Sequence, residues 1–420
     1  MTDVPAIFER PGPRWFTIPA HRPFVDDLAA GLLAGLGPGG PEALSDAIVL
    51  TPTRRGARSL AEAFVRAAGG KALLLPQIRA LGDLDEGEPP FEPGDLAIDL
   101  PPAISPLRRR FELARLASEH ADRLGFDGPV DLPAALALAD ALADFLDSVQ
   151  IEEIADLSNL DTLVEGELAA HWTKSADFLR IAAEQWPNRL NELGLLDVTK
   201  RRTDLLRALA KQWTAHPPDR PLIAAGSTGT APATADLLAV IAAAPLGAAV
   251  LPGLDLDLAE EAWAQVGEAH PQGALKRLLA RHGLTRDQVD VWPARESATE
   301  RLRGRSRRRV VNEALRPAEV TDDWLRLVGE LRQEGAAAGV DPIAEGLDGF
   351  SVVSARGEEE AAGVVALLLR ETLETPGRTA ALVTPDADLA RRVSARLSRW
   401  GVVADASAGV SLASTPVGVL

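Results

Sequence analysis

Residues 46–64 read DAIVLTPTRRGARSLAEAF, and the fold is decided in this stretch. Residues 47–50 form a short apolar run with two β-branched side chains, which reads as a buried strand. Thr51, Pro52 and Thr53 break it. From Arg54 onward, Ala57, Leu60, Ala61 and Phe64 share one helical face. Strand, Thr-Pro-Thr turn and helix start put two hydroxyls and two arginines at the carboxyl end of a parallel strand. Ligands of open α/β sheets bind at that end, and the N–H groups of a helix start attract phosphate. The pattern returns at residues 380–392, AALVTPDADLARR, with Thr384 and Pro385 at the turn.

Upstream, residues 15–18 read as a strand, residues 19–23 (PAHRP) as a turn and residues 24–36 as a helix. Phe24, Leu28, Leu32 and Leu36 lie near one face, and the GPGGP of residues 37–41 ends the helix. Downstream, residues 72–75 form a third apolar run before Pro76. Three strands with two intervening helices open a doubly wound α/β domain. Residues 82–99 are acidic and proline-rich and read as an exposed loop. From Pro101 to Trp213 the pattern is helical. Ser105-Pro106 opens one helix with a cap and a first-turn proline, and residues 133–145 make a second. Trp172, Phe178, Ile181 and Trp186 mark a third. Together they read as an all-α insertion in the α/β domain.

Strands return at residues 221–226 and 247–251, with a helix over residues 232–243 between them. Another helix follows at residues 275–281. Residues 301–309, RLRGRSRRR, read as a basic linker, and residues 319–338 as helical. Residues 350–353 and 379–383 are expected to be strands of a second α/β unit. Between them, Glu358, Glu359 and Glu360 complement the positive start of a helix.

A chain of 420 residues is long enough for two or three domains. Its 46% hydrophobic and 25% charged residues are ordinary for a soluble globular protein. It has no cysteine, which excludes disulfides, cysteine–zinc sites and thiolate-held iron–sulfur clusters within it. No secretory pattern opens the sequence, and no apolar run reaches the roughly 18 residues of a membrane span. The expected location is the cytoplasm, with no membrane partner. A net charge of −17 argues against non-specific nucleic-acid binding. Arginine is nevertheless clustered at Arg54, Arg55 and Arg58, at Arg108, Arg109 and Arg110, and over residues 301–309.

A nucleotide triphosphatase needs a glycine-rich loop and a lysine between its first strand and helix. That place holds Pro19, Ala20, His21, Arg22 and Pro23, with no glycine and no lysine. Prolines also remove amide donors such a loop uses. No ATP hydrolysis is expected there, although His21 or Arg22 could touch an anion. Asp255 and Asp257 after the fifth strand resemble a metal-binding pair or a polar strand exit. The six histidines show no zinc-ligand spacing, so no metal site is expected. No nucleophile elbow occurs. The turn Gly226-Ser227-Thr228-Gly229-Thr230 could hold a phosphate or be a plain glycine-rich turn. Thr51, Thr53, Arg54 and Arg55 are the leading binding candidates, since hydroxyls, helix-start amides and arginine serve as DNA-backbone contacts. Residues 301–309 could instead make an electrostatic contact with a strand of nucleic acid or an acidic partner.

Several stretches resemble AddB, the second subunit of the bacterial AddAB helicase–nuclease, in its alphaproteobacterial form. They are RWFTIPAHRPFVDDLAAGL, AIVLTPTRRGARSLAEAF, LLPQIRALGD, AAGSTGTAPATADLLAVIA, AVLPGLDLDLAEEAW and HPQGALKRLLARHG, then SARGEEEAAGVVALLLRETL and ALVTPDADLARRVSARL. The resemblance implies a RecA-like parallel sheet of the superfamily 1 helicase type. Residues 1–100 and 221–300 would form the first such domain, and residues 101–220 its helical insertion. Residues 301–348 would be a basic linker and helix, and residues 349–420 the incomplete start of a second RecA-like domain. It also implies a DNA-binding subunit acting with AddA as a heterodimer in double-strand break repair, end resection and recombination. The role of touching single-stranded DNA falls on Thr51, Pro52, Thr53 and Arg54. Family members carry a C-terminal nuclease domain with a cysteine-held iron–sulfur cluster. This chain stops before that region, so the expectation is a fragment, or a chain that a partner completes. No catalytic residue and no cofactor is expected in it. Two rival readings are a nucleotide-dependent α/β enzyme using Ser227–Thr230 and Asp255, and a non-catalytic scaffold with an acidic surface.

Overall fold

The computed structural model describes residues 6–37, 41–81, 100–120, 130–157, 160, 169–293, 298–407, 409 and 418. The chain divides into two compact units, Met1–Leu347 and Asp348–Leu420.

The first unit is built on a six-stranded sheet: β1 (Trp15–Ile18), β2 (Ile48–Thr51), β3 (Gln77–Ala80), β4 (Leu222–Ala225), β5 (Gly247–Pro252) and β6 (Val289–Val291). The spatial order is β3-β2-β4-β5-β1-β6, and every pairing is parallel. All six carboxyl ends therefore lie along one edge. This is the α/β, RecA-like class expected from the sequence.

Helices cover both faces because alternate strand residues feed two cores. Trp15, Ile48, Leu50, Leu222, Ala224, Ala249 and Leu251 point to one face. There they meet α7 (Val198–Ala215), α8 (Pro232–Ala243) and α10 (Gly273–Arg281) through Leu209, Trp213, Leu238, Ile241 and Leu278. Phe16, Ile18, Val49, Ile223, Ala225, Ala248 and Val250 point to the other. That face is covered by α1 (Phe24–Leu36) and α3 (Arg54–Ala67), with Leu28, Leu32, Leu60 and Phe64 fully buried. A fully buried side chain of this size contributes roughly 1.5–3 kcal/mol.

The insertion has its own core. In it α4 (Pro106–Glu119), α5 (Leu132–Ile151) and α6 (Ala169–Leu193) close around Leu113, Ala139, Leu142 and Trp186. At its base Asp197 is 1% exposed and accepts hydrogen bonds from Trp186 Nε1 and, at 3.1 Å, from Arg109 Nε. Arg109 also forms a two-pronged pair with Asp147 on α5, at 3.2 and 2.8 Å. Helix α7, which the sequence grouped with this insertion, buries Leu205, Leu206, Leu209 and Trp213 in the core of the sheet.

Two expectations need correction, and one strand was missed. Residues 72–75 are not a strand: β3 begins at Gln77, after Pro76, and Leu74 and Leu75 remain exposed. The edge strand β6 escapes the sequence reading, since its three residues VDV carry no run or alternation long enough to detect. Residues 301–309 are not a linker. They lie inside α11 (Ala298–Ala314), which packs on α13 (Pro342–Leu347), with α12 (Trp324–Ala338) between them in sequence. Residues 82–99 lie outside the described residues.

In the second unit α14 (Glu358–Thr372) and α15 (Ala387–Arg399) pack through Ala362, Ala366, Val393 and Leu397. The two expected strands, residues 350–353 and 379–383, form no sheet pairing among the described residues. Val352 and Val383 are exposed.

Candidate nucleic-acid interface

The turn from β2 to α3 lies on the carboxyl edge, between the ends of β3 and β4. Thr51 is 5% exposed, and its hydroxyl is directed inward. It donates to the carbonyls of Thr53 at 3.1 Å and Arg79 at 3.3 Å, tying the turn to β3. Thr53 is the N-cap of α3: its backbone is extended, and its Oγ1 accepts from Gly56 N at 3.0 Å. Such a cap satisfies one of the amides a helix start leaves over. Both hydroxyls thus shape the turn.

The charged groups have the opposite disposition. Arg54, Arg55 and Arg58 are exposed on the first two turns of α3. Their helix is held from behind by Leu60, Ala63 and Phe64 in the core. It is also held at its far end by Arg66, which donates to Asp26 of α1 at 3.0 and 2.7 Å. The result is a rigid mount for a positive patch on a chain whose net charge is −17.

The glycine-rich turn after β4 adjoins this patch. Gly226 has φ +83°, and a Cβ there would come to 3.3 Å from the Phe24 ring and 3.6 Å from Pro52 Cδ. The left-handed φ is what calls for glycine here, since a Cβ would meet Pro52 at an ordinary contact distance. Ser227 Oγ accepts from Gly229 N at 3.2 Å, so this hydroxyl closes its own turn.

The place of a phosphate loop, residues 19–23, is occupied differently. Pro19 and Pro23 have no N–H, and the Arg22 N–H donates to Pro19 O at 2.9 Å. Few donors are left to cradle a phosphate. Helix α11 lies against the turn: a Cβ on Gly304 would overlap His21 Cδ2 and lie 2.9 Å from His21 Cγ. The Arg22 guanidinium pairs with Asp27 and donates to Trp292 O at 3.0 Å.

Asp255 is 2% exposed and its carboxylate accepts from Asp257 N at 2.8 Å and Leu258 N at 3.0 Å. Gln272 clamps the same loop, accepting from Asp255 N and donating to Gly253 O, both at 2.9 Å. Asp257 is paired with Arg308 of α11. The two aspartates therefore shape a loop and anchor a helix. Among the described residues no group of three or more His, Asp or Glu side chains is placed to hold a metal. No described helix is long and apolar enough to cross a membrane.

Sequence reasoning missed the packing of α11 on the first turn. The signal was present: residues 301–309 contain no proline, arginine is a good helix former, and the lone glycine marks a close approach. No protein-family model matches this chain, and no curated protein matches it.

Proposed function

We propose that this chain is a helicase-like DNA-binding subunit of a double-strand break repair complex, without a nucleotide motor of its own. The observation that carries the reading is the exposed group Arg54, Arg55 and Arg58 on a rigid helix start at the carboxyl edge of a RecA-like sheet. Arginine at a helix start is suited to phosphate contacts that position a strand without reading its bases. Thr51 and Thr53 serve by fixing the turn. The resemblance to AddB supports a role in end resection and recombination beside AddA, as a heterodimer in the cytoplasm. The proline-bounded turn at residues 19–23 supports the absence of ATP hydrolysis.

The rival reading, a nucleotide-dependent enzyme using Ser227–Thr230 and Asp255, is disfavoured. Ser227 Oγ and the Asp255 carboxylate are both engaged by amides of their own loops. The test is fluorescence anisotropy with a labelled single-stranded oligonucleotide at low salt, for the protein and for Arg54→Ala with Arg55→Ala. Saturable binding that the double variant weakens supports the reading. Equal affinity in the two proteins removes the site.

A further inference from the structure

A cleft in the first unit has a volume of about 760 Å³ and is distinct from the β2–α3 turn. It opens where the carboxyl ends of β1 and β6 meet α11 and the residues before α13. Arg22, Arg305, Arg308 and Arg309 line it, and Asp257 is the only acid among its described lining residues.

Two of these arginines are neutralised locally, Arg22 by Asp27 and Arg308 by Asp257. Arg305 is exposed and forms no ion pair among the described residues, so the wall of α11 carries surplus positive charge into the cleft. The floor supplies an independent observation. The Arg22 side chain is only 7% exposed, and its Nη2 has no hydrogen-bond partner among the described residues, although Nε and Nη1 are both engaged. A buried guanidinium N–H without an acceptor costs more than an ordinary lost hydrogen bond. An anion seated against Arg22 removes that cost. Arginine's planar fork suits an oxyanion with several acceptor oxygens.

We infer that this cleft is an arginine-walled binding site for a terminal phosphate dianion. Arg22 forms its floor, and Arg305 and Arg309 close on the anion from α11. The site needs no backbone cradle, no lysine and no metal, and it binds phosphate without cleaving it. Two sources share this chemistry: a small free phosphate compound and the terminal phosphate of a nucleic-acid strand. The inference does not rest on the DNA contact at Arg54 and Arg55.

The experiment is calorimetric titration of the whole chain with inorganic pyrophosphate at low salt, without magnesium. Saturable binding is expected, weakened about tenfold or more by Arg305→Ala with Arg309→Ala, since charge-assisted hydrogen bonds are lost. Arg305→Ala alone, at an exposed position, gives the same direction of effect if the double variant folds poorly. No saturable binding up to millimolar pyrophosphate overturns the inference, as does unchanged affinity in both variants. Competition then separates the sources. Displacement by a 5′-phosphorylated oligonucleotide, but not by its unphosphorylated twin, supports a strand terminus. Displacement by neither supports a small free anion. The Arg54→Ala, Arg55→Ala protein should bind pyrophosphate normally, which separates failure here from failure at the β2–α3 turn.

Discussion

Replacing Thr53 by alanine separates the structural role of the β2–α3 turn from its proposed binding role. The variant deletes the Oγ1 that accepts from Gly56 N at 3.0 Å. Loss of such an N-cap costs about 1 kcal/mol, with a range of roughly 0.5–2. The rest of α3 should hold, because Leu60, Ala63 and Phe64 are fully buried and Arg66 is tied to Asp26. Damage is therefore confined to the first turn, where amide exchange at Gly56 and Ala57 should quicken about fivefold, as 1 kcal/mol implies. Urea unfolding should lose a similar free energy with an unchanged slope. Affinity for single-stranded DNA should fall no more than about fivefold, since the arginines stay on the helix and only their mount loosens. Thr53→Ser should restore both properties. If Thr53→Ala leaves exchange and unfolding untouched but abolishes DNA binding, the hydroxyl is a ligand contact and the capping argument is wrong.

Asp236 provides a pH test. Its carboxyl is held down to about 2 by hydrogen bonds first from Arg281 and then from Arg207, against the opposing effect of burial. A depressed folded pKa means the stabilisation is complete above the unfolded value near 4 and is lost as pH falls through about 2. It amounts to about 2.5 kcal/mol at most. Asp236→Asn should therefore be less stable at neutral pH, with the gap closing toward pH 2 in urea unfolding. Gly304→Ala gains about 1 kcal/mol of helix propensity. Overlap with His21 should cost about 1–3 kcal/mol, so a net loss of stability and faster proteolysis of α11 are expected; a stabilised variant would mean that α11 does not rest on that turn. Asp197→Ala leaves Trp186 Nε1 without its acceptor and Arg109 held by Asp147 alone, and should cost about 1–3 kcal/mol in unfolding measurements.

Residues 46–64 carried most of what the sequence disclosed about the sheet, because a parallel strand buried on both faces is an unbroken apolar run. The same logic located β1, β4 and β5. It misplaced β3, an edge strand half-buried along its length, by following the more apolar residues 72–75 instead. β6 was invisible for a related reason: it is only three residues long and one is Asp290. The arginine run was read by its charge alone. Charge says nothing of which helical face is small enough to pack, and there Gly304 and the buried Ser306 decide the outcome. At the candidate interface, residue type pointed to a turn at the carboxyl edge but not to which of its atoms face outward. Whether a threonine hydroxyl points to a ligand or into its own loop depends on backbone carbonyls such as that of Arg79, 28 residues away in sequence.

The central claim, that Arg54 and Arg55 are phosphate contacts, is tested most directly by the salt dependence of binding to a single-stranded oligonucleotide. Each phosphate contact contributes about 0.7 to the slope of log affinity against log salt. The account predicts that Arg54→Ala with Arg55→Ala flattens that slope by about 1.4, with unfolding changed by no more than about 1 kcal/mol per side chain because both are exposed. An identical slope and affinity in the two proteins would contradict it.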